Sequence, residues 1–329
     1  MFRKEFTNSL TYGDVFIIPA YSEFSSRSKI DTSAKLGTLS LDVPVISANM
    51  ETVTGSEMAI SMRQSGGIGA LHRYGEIKEN VSEYLQVKAL GLECIVSVGV
   101  NEESKDRAKA LYEAGARYFI IDIAHGHSLM MKEMVTYLKK EYPNMFLIGG
   151  NVATPEAVQD LEAWGCDAVK VGIAGGMVCT TKNVTGVHVP MFSCLYSCSS
   201  AATKPIIADG GIKEYADAAK ALGLADFVMC GGMFAGCKEA PGERVGGKKV
   251  YRGMASRDSA MTSKEIVLRY QKTGHEPTPE GKEILINATD VSAKKVVKEL
   301  QGALRSTFSY CNAKNLEEYQ SKVSFGTIK

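Results

Sequence analysis

The stretch from 118 to 164 reads YFIIDIA, HGHS, LMMKEMVTYLKKE, YPNM, FLIGGNV, A and TPEAVQDLEAW, and its alternation decides the fold. Residues 118–124 and 146–152 are apolar and β-branched runs, typical of parallel strands that are buried on both faces. A segment with apolar residues at helical spacing follows each run, and Thr154 with Pro155 is a typical helix start. The stretch therefore predicts two successive units of a strand followed by a helix.

The same pattern recurs along the rest of the chain. Strands are predicted at 43–48, 67–72, 94–100, 118–124, 146–152, 168–173, 205–211 and 226–232. Helices are predicted at 76–90, 102–114, 129–141, 154–164, 213–222 and 292–305. Eight such units predict an α/β fold, a closed (β/α)8 TIM barrel that spans 1–329 as a single domain. An open, doubly wound sheet is the alternative.

Two long segments interrupt the repeat. They are residues 174–192, here called the catalytic loop, and residues 237–290, here called the flap. Long loops in compact domains are usually functional or disordered, and active sites of barrels lie at the carboxyl ends of the strands. We therefore expect both segments at the active-site face.

Composition excludes several classes of protein. The 329 residues are 45% hydrophobic and 23% charged, which is typical of a globular chain and excludes disorder and a coiled-coil rod. A net charge of +1 gives no indication of a nucleic-acid or membrane partner. No run is long enough to span a membrane, and the start MFRKEFTNSL lacks the apolar stretch of a secretory signal. We expect a cytoplasmic protein.

The eight cysteines form no CxxC pair and no Cys/His cluster with zinc spacing, which argues against disulfides and a zinc site. Cys179 differs from the others because its loop is rich in glycine and polar residues. A thiol near backbone N–H groups can act as a nucleophile. The other seven cysteines are predicted to be small apolar core residues.

The strand ends carry the remaining candidates. Two glycine pairs, Gly210-Gly211 and Gly231-Gly232, follow the last two strands, where barrels commonly bind phosphate, although tight turns are the alternative. The carboxylates Asp122 and Asp209 also end strands and are predicted to bind ligand hydroxyls or an amide.

Other polar residues have two interpretations each. His125 and His127 are either general bases or part of a polar loop. Arg73 is a candidate for a second phosphate, and Glu280 is a candidate acid or base of a closing flap. Arg269-Tyr270 is either a substrate-contacting pair or a solvated one.

These segments together resemble the IMP dehydrogenase / GMP reductase family over nearly the whole chain. The matching segments are LTYGDVFIIPAYSEFSSRS, VISANMETVT, GGIGALHRY, IDIAHGHS, IGGNVATPEAV, VKVGIAGGMVCTTK, PIIADGGI, DFVMCGGMFAG and YRGMASRDSAM. The resemblance implies a (β/α)8 barrel in which Cys179 adds to C2 of a purine nucleoside monophosphate and forms a covalent thioimidate. The dehydrogenases oxidise IMP with NAD and water, whereas the reductases convert GMP to IMP and ammonia with NADPH.

Four features resemble the reductase branch of the family. One helix joins His72 to Cys94, which leaves no room for the regulatory CBS module of most dehydrogenases, and SANM, DFVMCGGMFAG and QKTGHEPTPEGKE resemble reductase segments. By that resemblance Glu280 and Thr181 deliver a proton to the departing amine. Arg269-Tyr270 points the other way, because dehydrogenases use such a pair to activate water. A dehydrogenase without the module is therefore the alternative, and a catalytically idle nucleotide-binding regulator is the third hypothesis.

The resemblance also implies residue roles. The implied substrate site comprises Met50, Asp209, Gly210, Gly211, Gly231, Gly232, Gly253, Met254, Ala255 and Gly281. The implied NADPH site comprises Ser26, Arg27, Arg73, Asp122, Ile123, Ala124, Ile173 and Ala174.

The loop that precedes the nucleophile departs from the family pattern. It reads GIAGGMVC where relatives read GIGPGSxC, so that Met177 replaces a serine that can touch the phosphate. In the family, carbonyls of this loop hold K⁺, and the positions that match are Gly176, Cys179 and Lys182. The family also implies a homotetramer.

Overall fold

The computed structural model describes residues 9–254, 256 and 278–328, and its centre is a closed barrel of parallel strands. The strands, labelled β1–β8, are Val45–Ser47, Ile68–Leu71, Ile95–Val98, Tyr118–Asp122, Phe146–Val152, Ala168–Val171, Ile206–Asp209 and Phe227–Cys230. Each strand pairs with the next along the chain, and Val228 of β8 pairs with Val45 of β1. The predicted (β/α)8 barrel is confirmed, and the open-sheet alternative is wrong.

Helices surround the barrel. In chain order, α1–α11 are Ser56–Gln64, Ile77–Lys88, Glu102–Ala114, Leu129–Glu141, Pro155–Trp164, Thr181–Thr185, Met191–Ser199, Tyr215–Leu222, Gly232–Ala235, Ala293–Tyr310 and Leu316–Lys322. The six predicted helices are present, and the Thr154 hydroxyl caps α5 by accepting from the Ala157 N–H at 3.3 Å. No helix within the described ranges has the length and apolar character to cross a membrane.

Three small antiparallel sheets lie outside the barrel in the described part of the chain. Val15–Ile18 pairs with Ser324–Thr327, and Ala34–Leu36 pairs with Leu39–Leu41. The flap contributes a third sheet, made of Arg244–Val245, Lys248–Arg252 and Glu283–Asn287. Short 3₁₀ helices occupy Tyr12–Asp14 and Arg27–Lys29.

The barrel interior is filled and one mouth is covered. Strand residues such as Ile46 and Phe227 are fully buried in one cluster with Leu36 and Leu41 of the 34–41 hairpin. The Thr38 hydroxyl lies 2.7 Å from the hydroxyl of Tyr118, the first residue of β4. The hairpin therefore covers the amino-terminal mouth, and the carboxyl mouth remains for a site.

Candidate active site

The carboxyl ends of the strands surround a cavity of about 220 Å³, which we call the central cavity. It brings together most of the predicted residues, namely Met50, Arg73, Asp122, Ile123, Ala124, Ile173, Ala174, Gly176, Cys179, Thr181, Asp209, Gly210, Gly253, Met254, Glu280 and Gly281. They meet there because parallel strands end at the same edge of the barrel.

A larger cavity of about 910 Å³, which we call the outer cavity, adjoins the central one and shares Cys179 and Gly210 with it. It adds four more of the predicted residues, Gly211, Gly231, Gly232 and Lys182. The outer cavity is therefore lined by both glycine pairs.

Gly210 brings two loops together in a way that another residue would prevent. Its φ is +109°, and an added Cβ would lie 3.0 Å from the Cα of Gly175 in the catalytic loop. Only glycine combines that backbone angle with so close an approach. The β6 and β7 loops therefore touch beside the outer cavity.

Cys179 lies at one end of a chain of polar contacts. Its Sγ is 3.3 Å from Thr181 Oγ1, and the Thr181 hydroxyl donates to Glu280 Oε2 at 2.8 Å. Cys179 is partly exposed, whereas the other seven cysteines are buried, as the sequence predicted. The arrangement joins a nucleophile to a carboxyl group through one hydroxyl, which is a path along which a proton can move.

The backbone fixes this chain of contacts. The Thr180 N–H donates to the Glu280 carbonyl at 2.8 Å, and the Lys282 N–H donates to the Val178 carbonyl at 2.9 Å. Cys179 and Gly281 form an antiparallel bridge between these bonds. The catalytic loop and the end of the flap are thus hydrogen-bonded to each other across the nucleophile.

The central cavity is also lined by Lys170 and Asn151, which were not predicted from the sequence. Lys170 is 1% exposed, and its ammonium contacts Asp122, Asn151 and Asp209. Burial raises the pKa of Asp122, but the attraction of Lys170 outweighs it and leaves that pKa below its ordinary value. The signal was present, because a lysine inside the apolar run AVKV needs buried partners.

Arg73 lies where the central cavity meets a further cavity of about 600 Å³. That neighbouring cavity is also lined by Arg107 and Ser104. The Arg73 guanidinium is 5.2 Å from the centre of the Tyr74 ring. A long anionic ligand could therefore extend from the central cavity past Arg73.

Some predicted residues are not brought into either cavity. Arg27 bonds to Ser306 at 2.9 Å and to Tyr310 at 2.8 Å on α10, and Ser26 precedes it. His127 pairs with Asp160 at 2.8 Å on α5, and neither it nor His125 lines the central or the outer cavity, which favours the polar-loop interpretation. Predicted residues Ala255, Arg269 and Tyr270 lie outside the described residues.

The loop of the predicted K⁺ site contains a tight turn. The Cys179 N–H donates to the Gly176 carbonyl at 3.3 Å, and α6 begins at Thr181. Ala174, which stands where relatives have glycine, adopts the left-handed φ of +59° that glycine favours. Within the described ranges, no three His, Cys, Asp or Glu side chains are grouped as metal ligands.

The chain resembles known proteins over nearly its whole length. Residues 9–329 match the family described as "IMP dehydrogenase / GMP reductase domain". The chain is 41% identical to a GMP reductase of Chromobacterium violaceum over 93% of this chain and 94% of that protein. It is 40% identical to a GMP reductase of Bacillus subtilis, with 94% and 93% covered. A GMP reductase of Streptococcus agalactiae is 41% identical, with 93% and 91% covered.

Proposed function

Since the chain belongs to the IMP dehydrogenase / GMP reductase family, we propose that it is a GMP reductase, an oxidoreductase of purine nucleotide interconversion and salvage. Its substrate is a small molecule, GMP, and its cofactor is a nicotinamide nucleotide. The observation that carries the proposal is the contact chain from Cys179 through Thr181 to Glu280. A reductase must release ammonia, and these contacts connect the nucleophile to a carboxyl group through one hydroxyl.

The first step forms a bond from Cys179 to the base. Its sulfur adds to C2 of GMP, the bond from C2 to the amine breaks, and a thioimidate remains on the enzyme. The proton of the thiol leaves with the amine, so the leaving group is neutral ammonia. A covalent path divides one difficult displacement into two easier steps.

Thr181 and Glu280 carry the proton in this step. In the structure the Thr181 hydroxyl donates to Glu280, so the Thr181 oxygen is free to accept the proton of the thiol. Once Glu280 is protonated, the direction reverses and the Thr181 hydroxyl donates toward the amine. Protonation is needed because the amide anion is a very poor leaving group.

The cofactor is NADPH in this proposal, and when bound it supplies the hydride that replaces the sulfur at C2 and yields IMP. Asp122, Ile123, Ala124, Ile173 and Ala174 line the central cavity on the side proposed for the nicotinamide. Arg73 offers a permanent positive charge to the remainder of the cofactor.

The nucleotide is proposed to lie across both cavities. Asp209 accepts hydrogen bonds from the ribose hydroxyls, and Met50, Gly253, Met254 and Gly281 surround the base.

The phosphate takes the outer cavity. Gly210, Gly211, Gly231 and Gly232 leave the backbone there open to its oxygens. Backbone contacts matter more in this chain because Met177 stands where relatives have serine.

K⁺ at the carbonyls of Gly176, Cys179 and Lys182 belongs to the same proposal. Its support is the turn that ends just before α6, in which the Gly176 carbonyl accepts from the Cys179 N–H at 3.3 Å. A cation there would brace the turn that carries the nucleophile.

We also propose a cytoplasmic homotetramer. Arg27 hydrogen-bonds to α10, and neither it nor the preceding Ser26 lines the central or the outer cavity of its own chain, so both would contact a cofactor bound by another copy.

The test is a paired assay in both directions. With GMP and NADPH we expect loss of NADPH absorbance and one ammonia released for each NADPH consumed. Turnover of IMP, NAD and water to XMP would instead identify a dehydrogenase. Binding of GMP without any turnover would identify a regulator. Either result contradicts the proposal.

A further inference from the structure

Lys170 projects from the middle of β6 toward the carboxyl mouth, where its ammonium meets three acceptors. These are Asp122 Oδ1 at 2.8 Å, Asp209 Oδ2 at 2.6 Å and the side-chain oxygen of Asn151. An ammonium has three N–H donors and no acceptor, so the three partners satisfy it completely. No N–H of the ammonium is left to donate to a ligand, and the Lys170 side chain is only 2% exposed.

Asn151 completes the arrangement from the other side. Its oxygen accepts from Lys170, while its nitrogen donates to Asp209 Oδ2 at 2.9 Å and to the Gly172 carbonyl at 2.6 Å. Oδ2 of Asp209 is therefore held by two donors. No described residue hydrogen-bonds the other oxygen, Oδ1, and the side chain is 22% exposed, so Oδ1 is available to a ligand.

The contacts join two parts of the site. Asp122 ends β4 and Asp209 ends β7, and two carboxylates that share one pocket repel each other. A buried cation between them offsets that repulsion and fixes the separation of the two side chains. Because Lys170 bonds to both carboxylates, the distance between the Asp122 and Asp209 side chains is fixed.

We infer that Lys170 is a positioning residue that holds Asp209 and Asp122 in their binding arrangement, so that one side chain sets both the nucleotide-ribose site and the nicotinamide site. The inference rests on the proposed function, in which these carboxylates contact the two ligands. Lys170 itself touches neither ligand and acts through its partners.

The test compares binding in three variants, each built on Cys179→Ala so that no turnover occurs. Lys170→Met removes the charge at nearly constant length, and Lys170→Arg restores a cation. The matched control is Lys249→Met. Lys249 is also fully buried, but its ammonium bonds to the carbonyls of Thr52 at 3.0 Å and Ala235 at 2.7 Å.

Titration calorimetry would measure the dissociation constants of GMP, of NADPH and of 2′,3′-dideoxyguanosine monophosphate, which lacks the 2′ and 3′ hydroxyls of the ribose. For Lys170→Met we expect GMP and NADPH each to bind about tenfold more weakly, which is typical of losing a charge-assisted contact. The dideoxy nucleotide should weaken by less than about threefold, because it does not use Asp209. Lys170→Arg should recover part of both losses, and Lys249→Met should lower the melting temperature while leaving affinities unchanged.

Equal weakening of GMP and the dideoxy nucleotide, or affinities unchanged by Lys170→Met, would overturn the inference. If Lys170→Met fails to fold, Lys170→Gln keeps a polar group without the charge and carries the same comparison. The wild-type ammonia assay separates the two ideas. If the wild-type enzyme releases ammonia but Lys170→Met binds the ligands as tightly as the Lys249→Met control does, the inference is wrong and the proposed function stands. Absence of ammonia release removes the proposed function itself.

Discussion

Replacing Glu280 by glutamine isolates the proton that the amine needs. The amide has nearly the shape of the carboxyl group and can keep the 2.8 Å contact with Thr181 Oγ1, but it cannot donate a proton as an acid. Positioned general acids contribute about 10² to 10⁴ in rate, which corresponds to about 2.7 to 5.4 kcal/mol of barrier. Because the contact reaches Cys179 through one hydroxyl, we expect kcat with GMP to fall toward the larger loss, with little change in the Kd for GMP.

The control is a substrate whose leaving group needs no proton. The 2-chloro analogue of IMP gives the same thioimidate with Cys179 when chloride leaves, and NADPH then reduces it to IMP. Glu280→Gln should slow this analogue much less than it slows GMP, as followed by NADPH absorbance. The variant still impairs removal of the thiol proton with both substrates, but chloride leaves without the proton that the amine needs. If the variant slows the chloro analogue and GMP equally, Glu280 does not act as the acid for the departing amine.

Three further predictions follow from the same structure. Cys179→Ala should abolish turnover while GMP binds within about threefold of wild type by calorimetry, since the thiol contributes to chemistry rather than to ground-state binding; retained turnover would exclude the thioimidate. Gly210→Ala should raise KM for GMP about tenfold in steady-state assays, because its φ of +109° and its close approach to Gly175 both disfavour a Cβ; an unchanged KM would contradict the phosphate site. Stability should fall above about pH 9, because burial raises the pKa of Cys94, Cys166 and Cys230, so these thiols keep their protons in the folded state while the unfolded thiols ionise. Urea unfolding in reducing buffer should show a loss of about 1 kcal/mol per thiol between about pH 9 and about pH 10, and a constant midpoint would oppose it.

The strands of the barrel could be predicted because parallel strands buried on both faces leave continuous apolar runs. Several strand ends were predicted one or two residues too far, as for β8, where 226–232 was expected and Phe227–Cys230 is observed. Most of the extra residues are apolar or glycine, so composition alone does not mark where the ladder stops. Helices with a polar face were also found, and α3 and α4 match their predicted bounds.

Helix α7 illustrates what the sequence could not give. Met191–Ser199 reads MFSCLYSCS, which has no charged residue to mark a solvent face, and its first two residues fall in the predicted catalytic loop. Packing supplies the missing information, since Phe192 meets Phe325 with ring centres 4.9 Å apart. That contact joins segments far apart in the chain and leaves no local signal.

The candidate site divides in the same way. Cys179 and Glu280 were named from their motifs, and the structure places them beside Thr181. Lys170 was missed because its importance comes from three acceptors on three other strands. No local pattern shows that those acceptors converge on one ammonium.

The ladder between Lys248–Arg252 and Glu283–Asn287 has an evolutionary consequence. It anchors the chain just before and just after the part of the flap that joins Arg252 to Glu283. Loop-closure entropy grows only slowly, by about 0.6 kcal/mol for each doubling of length. Insertions and deletions in that connection can therefore accumulate at small thermodynamic cost while Gly281 stays paired with Cys179. A family built this way can alter its flap and its reaction without rebuilding its nucleophile.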